Sequence, residues 1–126
     1  MRTEQQQVKE FMLKAEQECP DKPKMPCGYT QALRHDLIEE ELQELAEAFE
    51  QDNLVEVADA ITDLLVVVLG TAVACGIDIQ PCWDEVHRSN MTKFIDGHKD
   101  AGGKWIKGPS YSPANLLPIL TEQQKP

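Results

Sequence analysis

The feature that most limits how this chain can fold is the stretch from Leu64 to Ile77, an apolar run with Gly70 and Thr71 as the breaks in its middle. On a helix of about 3.6 residues per turn its apolar side chains occupy almost every angle, so it must be covered on most sides. It is shorter than the roughly 20 apolar residues that cross a bilayer. It therefore reads as a buried helix of a soluble protein, with no membrane partner. A chain of 126 residues has little material with which to enclose such a helix. The expectation is an all-α domain, a bundle of four to five helices, that completes its packing as a homo-oligomer, a dimer or a tetramer.

Acids intrude on the faces that such a bundle would bury. In IEEELQELAEAF, Leu37, Ile38, Leu42, Leu45, Ala48 and Phe49 share one arc, Glu41 falls inside it and Glu44 lies at its edge. In VEVADAITDLLVVVL, Glu56, Asp59 and Asp63 fall within a sector of roughly 60° at 100° per residue. Two like charges about 4 to 5 Å apart repel by roughly 3 to 4 kcal/mol at an effective dielectric near 20. Converging carboxylates thus need compensation, and Arg34, near the Glu41 face, is the one basic residue placed to neutralise any of them. The remaining routes are protonation, solvent exposure or bound cations, and an all-oxygen cluster suits a hard ion, Mg²⁺ with Mn²⁺ as a substitute. Glu39, Glu47 and Glu50 lie off the arc and read as solvated charges.

The formal charge of −10 argues against a nucleic-acid surface, although a phosphorylated small molecule could be bridged by cations. Cys19, Cys27, Cys75 and Cys82 show no CxxC spacing, which points to free thiols and no zinc. MRTEQQQVKEF lacks the apolar stretch of an export signal, so a cytoplasmic protein is expected.

Residues 1–126 read as a single domain, with a helical core over about 3–96 and a loop or tail over 97–126. The first helix spans about Thr3 to Glu18, with Val8, Phe11, Met12 and Ala15 as its core stripe. Prolines and a glycine make 20–30 a reversing loop, and the second helix covers about 31–50. Asn53 and Glu56 resemble a capping box, so a third helix starts near Leu54 and ends at Gly76. The short connection makes helices two and three antiparallel neighbours, which brings the two acidic patches together. Asp78 caps a fourth helix that reaches about Phe94. AGGKWIKGPSYSPAN reads as a segment that orders on binding, and LLPIL as a docking element.

The acids spell EExxE over Glu40–Glu44 and ExxD over Glu56–Asp59, with i,i+3 spacing that stacks each pair on adjacent turns. With these motifs followed by an apolar helix, the chain resembles the all-α nucleoside triphosphate pyrophosphohydrolases, the superfamily of the MazG proteins, the dimeric dUTPases and phosphoribosyl-ATP pyrophosphohydrolase. The resemblance covers about residues 28 to 113; FIDG within DEVHRSNMTKFIDG, and KGPSYSPANL, are similar to a MazG-like group of bacterial and phage proteins. It implies an Mg²⁺-dependent hydrolase that converts (d)NTP to (d)NMP and pyrophosphate, in a house-cleaning role. By motif it implies Glu41, Glu44, Glu56 and Asp59 as metal ligands, with Glu40 as a further ligand or the base that activates water. Asp63, one turn beyond Asp59, is either a ligand or a residue that orders Asp59.

Asn90 and Lys93, three residues apart, are candidates to meet base or sugar and phosphate, and Arg88 accompanies them. Lys107 and Tyr111 are candidates to close over phosphates. His87 lies in a single DxxH, where a di-iron bundle needs two such motifs, and reads as structural. The competing expectations are phosphoribosyl-ATP hydrolysis in histidine synthesis and a non-catalytic, metal-stabilised oligomeric binding module.

Overall fold

The computed structural model describes residues 3–126. They form six helices and one small ribbon: α1 (Glu4–Lys14), α2 (Gly28–Glu50), α3 (Leu54–Ala74), α4 (Ile79–Met91), α5 (Lys93–Asp96), β1 (His98–Lys99), β2 (Trp105–Ile106) and α6 (Leu117–Gln123). The all-α class stands. The chain divides into two compact units, Met1–Ile77 and Asp78–Pro126.

In the first unit α1 begins at a full capping box. Thr3 Oγ1 accepts from the Gln6 amide at 3.2 Å, and Gln6 Oε1 accepts from the Thr3 amide at 2.9 Å. The helix stops at Lys14, short of the expected Glu18, because Glu16 turns into the left-handed region at φ +59. Only Val8 and Met12 of the expected stripe are buried; Phe11 and Ala15 face outward. Val8 and Met12 pack on Val73 and Ala74 of α3, with Cys19 and Leu69 against them.

α2 starts three residues earlier than its periodicity predicts, at Gly28, with Cys27 as an N-cap that makes no side-chain cap bond. Asp52, at φ +51, turns the chain between α2 and α3; Asp is among the few residues that visit this region routinely. Asn53 Oδ1 then accepts from the Glu56 amide at 3.2 Å, which opens α3. Arg34, early in α2, reaches Thr71 and Val67, late in α3, so the two helices run antiparallel. Ala48 and Ala60, both buried, are small enough to let them approach closely.

Arg34 is not the counterion expected for Glu41. Its Nε donates to Thr71 Oγ1 at 3.3 Å and its Nη2 to the Val67 carbonyl at 2.9 Å. The side chain has turned toward the C-terminal half of α3, the negative end of the helix dipole.

α3 is 21 residues long, and by length and composition alone it could cross a bilayer. Its first half carries Glu56, Asp59 and Asp63, and an acid at a membrane centre costs about 2.5 to 3.5 kcal/mol. Much of its apolar surface is open within one chain: Leu65 is 57% exposed, and Ile61, Val66 and Val68 are also exposed.

In the second unit Asp78 Oδ1 caps α4 by accepting from the Gln80 amide at 3.1 Å. The helix ends at Met91, before the expected Phe94, because the Thr92 hydroxyl donates back to the Ser89 carbonyl at 2.7 Å and also accepts from the Ser112 amide at 2.9 Å. The segment expected to order only on binding is instead built from its own bonds. β1 and β2 pair antiparallel, His98 opposite Ile106 and Lys99 opposite Trp105. Asp100 Oδ1 accepts from the Gly102 and Lys104 amides within their turn. Phe94 packs edge-on against Trp105 at 4.8 Å, and Asp96 accepts from the amide and hydroxyl of Ser110. LLPIL forms the start of α6, which is held to Asp78 by a reciprocal pair of bonds: Gln123 Oε1 accepts from the Asp78 amide and Gln123 Nε2 donates to the Asp78 carbonyl.

Candidate metal centre

Helical periodicity sets the acids on α2 and α3, and antiparallel packing brings them together. Glu41 and Glu44 from α2 and Asp63 from α3 each place a carboxylate oxygen within 4.8 Å of the others. Next to this trio Glu44, Glu56 and Asp59 line an open cleft of about 420 Å³. Glu44 belongs to both groups, so the two sets of acids are continuous.

Glu47 and Gln51 also line that cleft, with Ala48 and Ala60 in its wall. Glu47 is exposed, as a solvated charge should be, and it also extends the Glu41–Glu44 ladder by another i,i+3 step into the cleft lining. That continuation was present in the sequence, but its angle lies off the apolar arc. It faces the cleft because α3 packs at that angle. Glu40 lies outside both the trio and the cleft lining and is exposed on α2.

The electrostatics mark Glu41. Burial is the largest cause that pushes its carboxyl up to about 7, followed by the adjoining Glu44, through hydrogen bonding and charge, and by Asp63 and Glu40. Its Oε2 is sealed from solvent with no hydrogen-bond partner among the described residues. Asp63 is also raised, by burial first and then by the charges of Asp59 and Glu44. A half-buried carboxylate with an orphaned oxygen among other acids is stabilised by a hard cation, and the donor set is all oxygen. The residues present thus fit a divalent metal of the Mg²⁺ type.

The candidate substrate residues lie in the second unit. Asn90 is exposed near the end of α4, and Lys93 is half-buried at the start of α5. The Arg88 guanidinium is engaged within its own unit: it forms a two-pronged pair with Glu85 at 2.6 and 3.0 Å and donates to Ser112 Oγ and the Pro113 carbonyl. Glu85 Oε2 also accepts from the Asn115 amide at 2.8 Å. Arg88 and Glu85 together tie residues 112–115 to α4. Lys107 sits over the Tyr111 ring at 4.8 Å, and the Tyr111 hydroxyl accepts from Ser89.

The Arg88 hydrogen bonds, and then the Asn115 amide, hold the Glu85 carboxyl down at about 2. A depressed carboxyl contributes stability that is present above its unfolded value, near 4.5, and is lost as pH falls toward 2. Glu85→Gln is therefore expected to lower the melting temperature at pH 7, and the difference from wild type should shrink below about pH 4.5. Melting curves between pH 7 and 2.5 measure it; a gap independent of pH would refute the ionic tie.

A family model described as phosphoribosyl-ATP pyrophosphohydrolase matches residues 8–90. The match begins twenty residues before the expected start at 28 and takes in the last seven residues of α1, all of α2 and α3, and nearly all of α4. It includes Glu40, Glu41, Glu44, Glu56, Asp59, Asp63, Arg88 and Asn90, and it ends before Lys93, Lys107 and Tyr111. A comparison with curated proteins found no match.

Proposed function

The chain belongs to the phosphoribosyl-ATP pyrophosphohydrolase family, within the MazG-like superfamily, and from that premise we propose that it hydrolyses (d)NTP to (d)NMP and pyrophosphate with Mg²⁺. The family makes the chain a pyrophosphohydrolase of nucleotide substrates that depends on a divalent metal. The choice of (d)NTP, of Mg²⁺ and of a house-cleaning role is our own reading. The observation that supports it most is the cleft in which Glu44, Glu56 and Asp59 adjoin the Glu41–Glu44–Asp63 trio.

In this reading Glu41, Glu44, Glu56 and Asp59 hold the metal, and Asp63 completes the set beside Glu41. Bound divalent ions would offset the charge of the triphosphate and make a water more acidic. By motif Glu40 would be a further ligand or the base that takes a proton from water, and it lies on α2 outside the trio and the cleft lining. Within the second unit, Asn90 and Lys93 are the candidates for base or sugar and phosphate, and Lys107 with Tyr111 for phosphate. Arg88 contributes by holding the tail that carries them.

The matched description itself favours a second reading, phosphoribosyl-ATP as substrate. A panel of canonical and modified nucleoside triphosphates together with phosphoribosyl-ATP, assayed with Mg²⁺ and with chelator, decides between them. Pyrophosphate from some triphosphates supports the first reading, and pyrophosphate from phosphoribosyl-ATP alone supports the second. Metal-dependent stabilisation with no turnover of either would leave the non-catalytic binding module.

The open face of α3 supports a homo-oligomer, with a second copy covering Ile61, Leu65 and Val68. Burying one such side chain fully contributes about 1.5 to 3 kcal/mol, so Leu65→Glu in every subunit is expected to shift the protein to monomers at micromolar concentration. Light scattering reads this directly. A wild type that is already monomeric would refute the assembly.

A further inference from the structure

Away from the acidic cleft, the first unit contains a smaller cavity of about 220 Å³ where α1, the N-terminal end of α2 and the C-terminal end of α3 meet. Met12, Leu33 and Ala74 give it an apolar lining, Tyr29 and Thr30 belong to its wall, and Arg34 borders it. Arg34 is only 6% exposed, yet it forms no ion pair among the described residues. Its two hydrogen bonds go to neutral oxygens, and the Thr71 hydroxyl that accepts one of them spends its own proton on the Val67 carbonyl. Nη1 has no partner among the described residues and is not sealed from solvent.

A guanidinium stays charged at every physiological pH, and an uncompensated buried charge costs several kcal/mol. The fold nevertheless makes room for this one. Gly70 lies in the interior of α3, where glycine costs about 1 kcal/mol relative to alanine, and a Cβ there would collide with the Arg34 guanidinium. The carbonyl end of α3 offsets part of the charge.

We propose that this cavity is an oxyanion site, separate from the metal centre, in which Arg34 Nη1 pairs with the head of a small monoanion whose compact apolar body packs on Met12, Leu33 and the Tyr29 ring. The volume admits a molecule well below the size of a nucleotide. Glu16 and Glu18 also border the cavity, and Glu18 is offset by Lys24 at 3.6 Å; this disfavours multiply charged ligands. A carboxylate or a singly charged phosphate head would suit Arg34 equally.

The test titrates the full chain, by calorimetry and by melting temperature, with benzoate, with inorganic phosphate and with benzamide as the neutral isostere. Chelator is present throughout, so that no anion is held through metal in the acidic cleft. Benzoate is expected to bind saturably in the millimolar range and to raise the melting temperature, and benzamide to do neither. Arg34→Met should weaken benzoate at least tenfold. Tyr29→Ala, at a position 80% exposed and so without consequence for folding, should weaken it severalfold. Saturable binding of phosphate in place of benzoate, with the same dependence on Arg34, assigns the site to a phosphate head. Glu56→Gln with Asp59→Asn should leave this binding unchanged, which separates the result from the fate of the hydrolase reading. The proposal is overturned by no saturable binding of either anion, by equal binding of benzamide, or by affinity that survives the substitutions. Should Arg34→Met fail to fold, Tyr29→Ala and the benzamide comparison decide.

Discussion

Replacing Glu56 by Gln and Asp59 by Asn together is expected to lower pyrophosphate release at least about 100-fold, with the helices intact. Both residues face the open cleft, and neither belongs to the core. Glu56 lies in the first turn of α3, where an acid gains about 0.3 to 1 kcal/mol from the helix dipole. Removing two like charges from a cleft shared with Glu44 and Glu47 acts in the opposite sense, so the net stability change should stay within about 1 kcal/mol. A loss of turnover with an unchanged melting curve in chelator would thus report on the metal centre rather than on the fold. Retained turnover in the double variant would refute the ligand assignment, whatever the substrate.

The second large effect is on stability. Gly76→Val is expected to destabilise the protein by about 3 kcal/mol or more, a fall in melting temperature of roughly 10 °C for a domain of this size. Two independent costs combine. Gly76 has φ +68, a conformation that a β-branched residue adopts only with strain, and a Cβ there would meet the Lys22 carbonyl, with the Pro20 carbonyl also close. The turn matters because the loop after α1 is fastened at this point: the Lys24 amide donates to the Cys75 carbonyl at 2.9 Å, and the Gln5 side-chain amide to the Ile77 carbonyl at 2.6 Å. Denaturant unfolding of the variant measures the loss. A change below about 1 kcal/mol would mean that the loop relaxes away from α3 at little cost.

What was legible in the sequence was local. The angular position of Glu41, Glu44, Glu56, Asp59 and Asp63 follows from helical pitch, and the Asn53 and Asp78 caps follow from side chains that bond amides two or three residues away. Those local rules placed the end of α2 at Glu50 and the start of α3 at Leu54, missed the start of α2 by three residues, and made the two helices antiparallel, because a turn of a few residues leaves no other arrangement. Which of these acids come within reach of one another, Asp63 with Glu41 and Glu44 on one side and Glu56 and Asp59 along the cleft on the other, was set by packing.

What only the tertiary structure decided depends on partners far apart in the chain. Glu47 joins the cleft because of the angle at which α3 meets α2, and no periodicity within α2 contains that angle. Arg34 turns to Thr71 and Val67, 37 and 33 residues away, rather than to Glu41, which its position on α2 had suggested. The segment after Gly97 looked structureless because short strands and Asp-centred turns carry almost no periodic signal. Its order comes from Asp96 with Ser110, Arg88 with Ser112, and Glu85 with Asn115. Helical pitch and capping act over three or four residues and can be read from one strand of text, whereas a counterion, a cleft wall or a tied loop is chosen among many distant candidates by packing.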